Sequence, residues 1–231
     1  MSKQAQFYNF PICLLENFIT ESEKCLDEIL DFVTWKHNKG NLKEEETAGY
    51  LGVKYYGEFS KHLERGKVLE RTIMDYYVDS PWTGLNRDVY WRFKKNSCSD
   101  FDKAVLLAFL AFKSILGNKP WYKITNQNKI YYRMAGETMG KGNHPKLPKE
   151  IATFCTRYKF DQIKLELKEN WGLLIYANHT RGMYVSTTDK MSLKELALVA
   201  ERGKLQCRKL AQRQAEQEAK EAAIRALTNG Q

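Results

Sequence analysis

The chain has 231 residues, 43% of them hydrophobic and 13% aromatic, which is enough apolar mass for a folded core and too much for a disordered chain. Its longest uninterrupted apolar run, Ala104–Phe112, covers nine residues, about half of what a membrane-spanning helix requires. Lys3 is the only basic residue before Phe7, and Glu16 interrupts the apolar stretch behind it, so the sequence predicts no secretory signal. We therefore expect a soluble, cytoplasmic protein.

The charge of the chain is strongly positive. Lysine and arginine together number 37 against 28 aspartate and glutamate residues, which gives a formal net charge of +9. A surplus of this size favours a polyanionic partner, with nucleic acid first and an anionic membrane surface second. A basic domain without such a partner would have the same composition, so the distribution of the charges has to separate the two.

The sequence has no motif for metal binding, cofactor binding or catalysis. Its five cysteines lie at least twelve residues apart, and its four histidines form no H-x-H or H-E-x-x-H set. The stretch Gly136–Gly142 has three residues between its first two glycines and a glycine after Lys141, whereas a phosphate-binding loop needs four residues and then a serine or threonine. We predict no metal, no cofactor and no enzymatic activity.

The first 98 residues have the pattern of a helical domain. Apolar residues spaced three and four apart predict a helix from about Thr20 to His37, with Thr20 and Glu23 at the spacing of a capping box. Weaker apolar patterns predict three further helices, over Lys43–Leu51, Glu58–Thr72 and Thr83–Lys95. Nothing in these residues specifies a chemistry, so the role of this domain stays open.

Residues 99–188 alternate between helices and short strands. The strongest helix runs from Phe101 to Leu116, because Ser99 is a good N-cap and apolar residues cover more than half of the helix surface. The elements predicted after it are a strand over Trp121–Ile124, helices over Asn126–Ala135, Pro148–Thr156 and Asp161–Trp171, and two strands over Leu173–Ala177 and Met183–Thr187. A long basic helix over Ser192–Leu227 makes up most of residues 189–231.

A helix, a short turn, a second helix ending in glycine and a basic hairpin follow one another between Pro148 and Thr187. The residues that form this pattern are Lys149–Ala152, the turn near Arg157, Asp161–Leu167, Trp171-Gly172 and Arg181-Gly182-Met183-Tyr184-Val185. The pattern resembles the winged helix-turn-helix DNA-binding modules of phage and mobile-element regulators. The resemblance implies a mainly α-helical, winged-helix-like domain over residues 99–188, with a small antiparallel β-hairpin as the wing.

The helix predicted over Asn126–Ala135 is the first candidate for contact with DNA. It lies in a window, Lys103–Gly136, that holds six basic residues and no acidic one. Asparagine and arginine pair bidentately with base edges, while lysine and tyrosine reach the backbone. A buried segment would lack acids as well, so the exposure of its cations decides between the two interpretations. The predicted contact residues lie on the outer side of this helix: Asn126, Asn128, Lys129, Tyr132 and Arg133.

Two further groups of residues are secondary candidates. In a winged helix the helix before the wing enters the major groove, but three acidic residues outnumber two lysines on the helix predicted over Asp161–Trp171. That balance is a poor electrostatic match for phosphates. The tip of the hairpin is basic and could enter a minor groove or contact phosphate. The secondary candidates are Lys164, Lys168, His179 and Arg181.

The sequence as a whole predicts double-stranded DNA binding without catalysis, by a transcriptional or replication-associated factor of a bacterial, phage or plasmid genome. A protein-binding winged-helix adaptor or assembly factor is the alternative, which the acids and the exposed Leu165 of the second helix favour. An RNA-binding protein that stacks bases on Trp121, Tyr122 and Tyr132 is a third possibility. An exposed apolar patch around Leu165 would favour the protein partner. A continuous positive surface from Lys129 to the wing would favour DNA.

Overall fold

The protein is mainly helical, as the sequence predicts, with two small antiparallel sheets. The computed structural model describes residues 6–40, 42–117, 120–137, 147–178 and 182–228. Within these ranges the helices are α1 (Ser22–His37), α2 (Glu44–Leu51), α3 (Phe59–Tyr76), α4 (Arg87–Lys95), α5 (Asp100–Leu116), α6 (Gln127–Met134), α7 (Lys149–Ala152), α8 (Arg157–Asn170) and α9 (Leu193–Thr228). The strands are β1 (Phe7–Pro11), β2 (Trp82–Asn86), β3 (Lys123–Thr125), β4 (Leu173–Asn178) and β5 (Gly182–Thr187).

The first sheet joins two strands that the sequence pattern does not predict. β1 and β2 are antiparallel, with Phe7 opposite Asn86 and Pro11 opposite Trp82. The helix predicted over Thr83–Lys95 is therefore wrong in its first turn. It begins only at Arg87, because the Asn86 side chain caps it by accepting hydrogen bonds from the N–H groups of the second and third helical residues.

The N-terminus of α1 lacks the predicted capping box. The helix begins at Ser22 with Glu21 as its N-cap residue, and the Glu21 side chain accepts no hydrogen bond from the backbone N–H groups of the first turn. The Thr20 hydroxyl instead donates to the carbonyl oxygen of Asn17, at 3.1 Å. The pairing of Thr20 with Glu23 expected from their spacing is thus wrong, although the helix itself is confirmed.

Helices α1 and α3 cross in close contact at Gly66. A Cβ atom at this position would overlap the backbone carbonyl oxygen of Asp31, so only glycine fits the crossing. The buried carboxylate of Asp31 accepts hydrogen bonds from the Arg65 guanidinium, at 2.7 and 3.1 Å, and is bonded to His62. The crossing is therefore held by packing and by the ion pair of the buried Asp31 with the half-exposed Arg65.

The second sheet has the strand order β3-β5-β4, with both pairs antiparallel. Ile124 lies opposite Tyr184 in one pair, and Ile175 lies opposite Val185 in the other. Each face of this sheet is covered. Ile175 and Val185 belong to the main hydrophobic core with α5 and α8, whereas Leu174 and Tyr184, on the other face, pack against the first turns of α9.

The main hydrophobic core is continuous from the N-terminal strand to the second sheet. It includes residues from Tyr8 to Val185, and α5 runs through its centre with seven of its side chains fully shielded from solvent. The Thr83 hydroxyl of β2 donates to the Leu110 carbonyl oxygen of α5, at 3.0 Å. The predicted division at residue 98 falls between α4 and α5, and the core extends across it.

The last helix begins as predicted and then leaves the body of the protein. Ser192 and Glu195 form a capping box, in which the Ser192 hydroxyl accepts from the Glu195 N–H and the Glu195 carboxylate accepts from the Ser192 N–H. Leu196 and Ala200 are buried, whereas nearly all described side chains after Glu201 are exposed or half-exposed. Among the described residues, none of the helices has the length and hydrophobicity of a membrane span.

Candidate nucleic-acid interface

Helix α8 begins four residues earlier than its apolar pattern predicts. Thr156 is the N-cap residue, and its hydroxyl accepts a hydrogen bond from the Lys159 N–H. The residues that were expected to form a turn, Arg157, Tyr158 and Lys159, are therefore the exposed first turn of the helix. A polar first turn has no apolar periodicity to reveal it, so a threonine at the capping position was the available signal.

One face of α8 is buried and the opposite face points into solvent. Phe160, Ile163 and Leu167 are fully buried. At about 100° per residue, the positions on the opposite side are 158, 162, 165 and 169. They are occupied by Tyr158, Gln162, Leu165 and Glu169, all of them exposed.

The charges on α8 are more favourable for an anionic partner than the sequence predicts. With the first turn included, the helix has four cationic and three acidic residues. Asp161 forms an ion pair with Lys164, at 2.6 Å, which neutralises both side chains. The Glu166 carboxylate accepts a hydrogen bond from the Asn170 amide, at 2.8 Å. The predicted surplus of acids on this helix is wrong, because the helix begins at Arg157 and its first turn adds Arg157 and Lys159.

The cations of α8 differ in their availability to a ligand. Arg157, Lys159 and Lys168 are exposed, whereas the side chain of Lys164 is mostly buried and paired. The Lys159 ammonium lies 5.2 Å from the ring centroid of Phe154, in the short turn that precedes the helix. Exposed cations therefore lie on both sides of the outward-facing residues, with Arg157 and Lys168 on one side and Lys159 on the other.

Helix α6 presents less polar surface than the sequence predicts. Asn126 is its N-cap residue, and the side-chain oxygen of Asn126 accepts a hydrogen bond from the Lys129 N–H, at 2.8 Å. Asn128 is exposed and Lys129 is half-exposed. Tyr132, however, is only 5% exposed. Its expected place on the outer side of the helix is wrong, because the C-terminal end of α6 has neighbours on more than one side.

Arg133 is also not the solvated cation that the sequence predicts. Its side chain is half-buried, and its Nε and Nη1 atoms are shielded from solvent without a hydrogen-bond partner among the described residues. Burial lowers the pKa of the Arg133 guanidinium below its usual value. Of the two cations predicted to contact DNA from this helix, Lys129 is half-exposed, whereas the guanidinium of Arg133 is partly shielded from solvent.

The remaining cations of the acid-free window that the structure describes do not form one surface. The Lys103 ammonium donates to the Ile19 carbonyl oxygen, at 2.9 Å, and lies 3.5 Å from Asp100. Lys113 is half-buried, and burial lowers the pKa of its ammonium group. Lys123 is exposed on β3. The window thus lacks acids in part because α5 is buried.

Packing contacts place the N-terminus of α6 beside the hairpin and its middle against α8. Gly182 opens β5 with a positive φ of 95°, and a Cβ atom there would overlap the Thr125 carbonyl oxygen. At the other side, the Tyr131 hydroxyl donates to the Cys155 carbonyl oxygen, at 3.0 Å, just before α8. Asn128 and Lys129 therefore lie on a helix that packs against both the hairpin and the start of α8.

The predicted wing tip lies outside the described residues. His179 and Arg181 belong to the segment between β4 and β5 that the structure does not describe. The strands on either side of the segment are paired from Leu173 opposite Thr187 to Asn178 opposite Gly182. The hairpin itself is thus confirmed.

Comparisons with models of known protein families, with curated proteins and with solved structures found no match for this chain. The candidate interface therefore rests on its own geometry. Its exposed members are Asn126 and Asn128 of α6 and its cap, and Arg157, Tyr158, Lys159, Gln162, Leu165 and Lys168 of α8, and the half-exposed Lys129 of α6 adjoins them.

Proposed function

We propose that the chain binds double-stranded DNA through a winged-helix module formed by residues 99–188, with α8 as the helix that enters the major groove. The order of elements supports this proposal. A helix (α5), a strand (β3), two helices (α6 and α8) and a hairpin (β4 and β5) follow one another, and the first strand pairs with the last. This is the order of helices and strands in a winged helix, with the short α7 added between the two helices of the helix-turn-helix.

The observation that carries the proposal is the surface of α8. A recognition helix uses its N-terminal residues to contact base edges, and cations beside it contact the phosphates. The exposed first half of α8 has polar side chains at its centre, Tyr158 and Gln162, with Arg157 and Lys159 on its two sides. In this proposal Arg157, Lys159 and Lys168 bind phosphates, while the central residues face the bases.

Helix α6 has a supporting role in the proposed complex. In a helix-turn-helix the first helix crosses the backbone of the duplex. Asn128 is exposed and Lys129 is half-exposed near the N-terminus of α6, where the N–H groups that the Asn126 cap leaves unpaired also favour an anion. We place these two residues on a phosphate, and we leave Tyr132 and Arg133 out of the interface because they are buried or half-buried.

We propose no catalytic activity. We propose a transcriptional or replication-associated role, as expected for a winged-helix DNA-binding protein. A protein-binding module is the second candidate, since Leu165 is 55% exposed on the central face of α8. Its neighbours on that face, Gln162 and Glu169, are polar. A single exposed leucine is common on protein surfaces and does not make an apolar patch, so we favour DNA.

The test is the salt dependence of duplex binding by the full chain. Fluorescence anisotropy of a labelled duplex of mixed sequence gives the binding constant over a range of salt concentrations. Each phosphate contact contributes about −0.9 to the slope of log K against log salt. Replacing both cations of the first turn, Arg157→Gln with Lys159→Gln, should make the slope shallower by about 2.

The matched control removes two exposed cations from the N-terminal half of the chain, Lys43→Gln with Arg71→Gln. It changes the net charge by the same amount and should leave the slope within about half a unit of the wild-type value. Circular dichroism confirms that both variants fold. The proposal fails if the chain shows no salt-dependent affinity for duplex DNA, or if the two double variants change the slope equally.

A further inference from the structure

The central residues of α8 differ in chemistry from the cations beside them. Tyr158, Gln162 and Leu165 follow one another along the exposed face at spacings of four and three residues. The Gln162 amide nitrogen donates a hydrogen bond to the Tyr158 hydroxyl oxygen, at 3.1 Å. An aromatic ring, an oriented amide and an aliphatic side chain are thus placed in one row facing solvent.

The hydrogen bond from Gln162 to Tyr158 uses only part of the capacity of the amide. A glutamine side chain has two N–H donors and one carbonyl acceptor. With one N–H held by Tyr158, the second N–H and the carbonyl oxygen are left for a ligand. Adenine presents one acceptor (N7) and one donor (N6–H) side by side in the major groove, and glutamine pairs with both. The tyrosine orients the amide before binding, which lowers the entropy cost of that pairing.

Leu165 adds an apolar group next to the amide. Although it is apolar, Leu165 lies on the side of the helix opposite the buried face, and its side chain is 55% exposed. The apolar group that base pairs present in the major groove is the thymine methyl. Leu165 lies three residues after Gln162, and a rise of about 1.5 Å per residue separates them by about 4.5 Å along the helix axis. That distance is comparable to the spacing of neighbouring base pairs.

We propose, on the basis of the function proposed above, that α8 recognises two adjacent A·T pairs, with Gln162 bonded to an adenine and Leu165 in contact with the thymine methyl of the neighbouring pair. Arg157, Lys159 and Lys168 bind phosphates on the two sides and carry no base preference. Tyr158 is a positioning residue, because it acts on the base through the Gln162 amide. The specificity and the salt-dependent affinity of the protein therefore reside in different side chains.

The experiment begins with selection of duplexes from a randomised library by the full-length wild-type chain. The selected sequence is then synthesised in three further forms: with thymine replaced by uracil, which removes only the methyl group, with adenine replaced by 7-deazaadenine, which removes only the N7 acceptor, and with the A·T pairs replaced by G·C. Anisotropy at one fixed salt concentration gives the affinity for each form.

The wild-type chain should bind the uracil form about fourfold more weakly, as expected for one lost methyl contact, and the 7-deazaadenine and G·C forms about tenfold more weakly or worse. Leu165→Ala should lose the distinction between thymine and uracil while it keeps the one for adenine N7. Gln162→Ala should do the reverse. Tyr158→Phe should reduce the adenine preference without altering the salt slope, a result that a purely structural role would not give. Glu169→Gln, on the same face, is the control and should retain both preferences.

Different results overturn different statements. If the chain binds duplex DNA with the predicted salt slope but selects no A·T pairs, or if Leu165→Ala still distinguishes thymine from uracil, this inference is wrong and the proposed function stands. If the chain binds no duplex at all, the proposed function is wrong and the inference falls with it.

Discussion

The ring of Tyr131 packs edge-to-face against the ring of Phe160, with their centroids 4.9 Å apart. Tyr131 belongs to α6 and Phe160 to α8, so this contact fixes one helix against the other. The Tyr131 hydroxyl adds a hydrogen bond to the Cys155 carbonyl oxygen just before α8 begins. The two helices of the candidate interface are therefore held together by the contacts of Tyr131, and their relative orientation depends on these contacts.

Two substitutions of Tyr131 should distinguish the contribution of its ring contact from the contribution of its hydrogen bond. Tyr131→Phe keeps the ring contact and removes one partly buried hydrogen bond, and it should cost about 1 kcal/mol of unfolding free energy. Tyr131→Ala also removes the ring and should cost about 3–5 kcal/mol. Urea denaturation followed by circular dichroism measures both values. Equal losses for the two variants would contradict the contribution that we assign to the ring pair.

Two glycine-to-alanine substitutions, one at the crossing of α1 and α3 and one in α2, should have different effects on the stability of the protein. Gly66→Ala places a methyl group into the Asp31 backbone and should destabilise the protein by about 3 kcal/mol. Gly49→Ala, in α2, adds a methyl group with no atom within 4 Å. It should be neutral or should stabilise the protein by up to about 1 kcal/mol, because alanine favours a helix more than glycine does. Thermal unfolding of both variants, side by side with the wild type, tests the difference in sign.

The carboxylate of Glu70 predicts a loss of stability in acid. Burial alone would raise the pKa of Glu70, but hydrogen bonds from Lys39, Trp35 and Lys36 outweigh it and lower this pKa to about 2. Glutamate in the unfolded chain has a pKa of about 4.3. The contribution of Glu70 is therefore fully present above about pH 4.3 and is lost as the pH falls toward 2.

Urea unfolding of the wild type and of Glu70→Gln at several pH values measures this contribution. The wild type should be more stable by about 1–2 kcal/mol at pH 7, since the bonded groups are partly exposed and screened by solvent. The difference should shrink as the pH falls from about 4.3 to about 2. Glu64→Gln, an exposed position on the same helix, is the control. A difference between wild type and Glu70→Gln that stays constant over this range would contradict the assignment.

Substitutions of Arg133 and Lys129 should have different effects on stability and on DNA binding, although both residues are cations on α6. Arg133→Met removes a half-buried guanidinium whose Nε and Nη1 atoms have no partner among the described residues. It should leave stability unchanged or raise it by up to about 1 kcal/mol, and it should not alter the salt slope of DNA binding. Lys129→Gln should make that slope shallower by about 1. A larger effect on DNA binding from Arg133→Met than from Lys129→Gln would return Arg133 to the interface.

The helix α5 and the β4–β5 hairpin could be predicted from the sequence, whereas the strands β1 and β2 could not. The pattern around Ser99 and the apolar residues after it identifies α5 and its cap, because periodicity and capping agree there. β1 and β2 were missed, since each has five residues and the two strands lie far apart in the chain. A short strand is stabilised by a partner that local patterning does not reveal.

The candidate site shows the same limit at the level of single residues. Arg157 and Lys159 precede the first apolar residue of α8, so periodicity assigned them to a turn, and only the capping role of Thr156 places them on the helix. The apolar pattern of α6 identifies a single buried face, and it therefore predicts Tyr132 and Arg133 on the exposed side of the helix. The end of α6 also meets the segment after the turn at Ile12–Leu15, since a Cβ atom at Gly136 would lie 3.0 Å from the Glu16 nitrogen. A second contact of this kind is set by tertiary packing alone.

The most direct test of the proposed interface is a map of amide chemical shifts as duplex DNA is added to the full chain. The proposed function predicts that the largest changes fall on Arg157, Tyr158, Lys159, Gln162 and Leu165 of α8 and on Asn128 and Lys129 of α6, with α3 unaffected. Changes confined to other surfaces, or none at DNA concentrations that saturate the anisotropy signal, would contradict it.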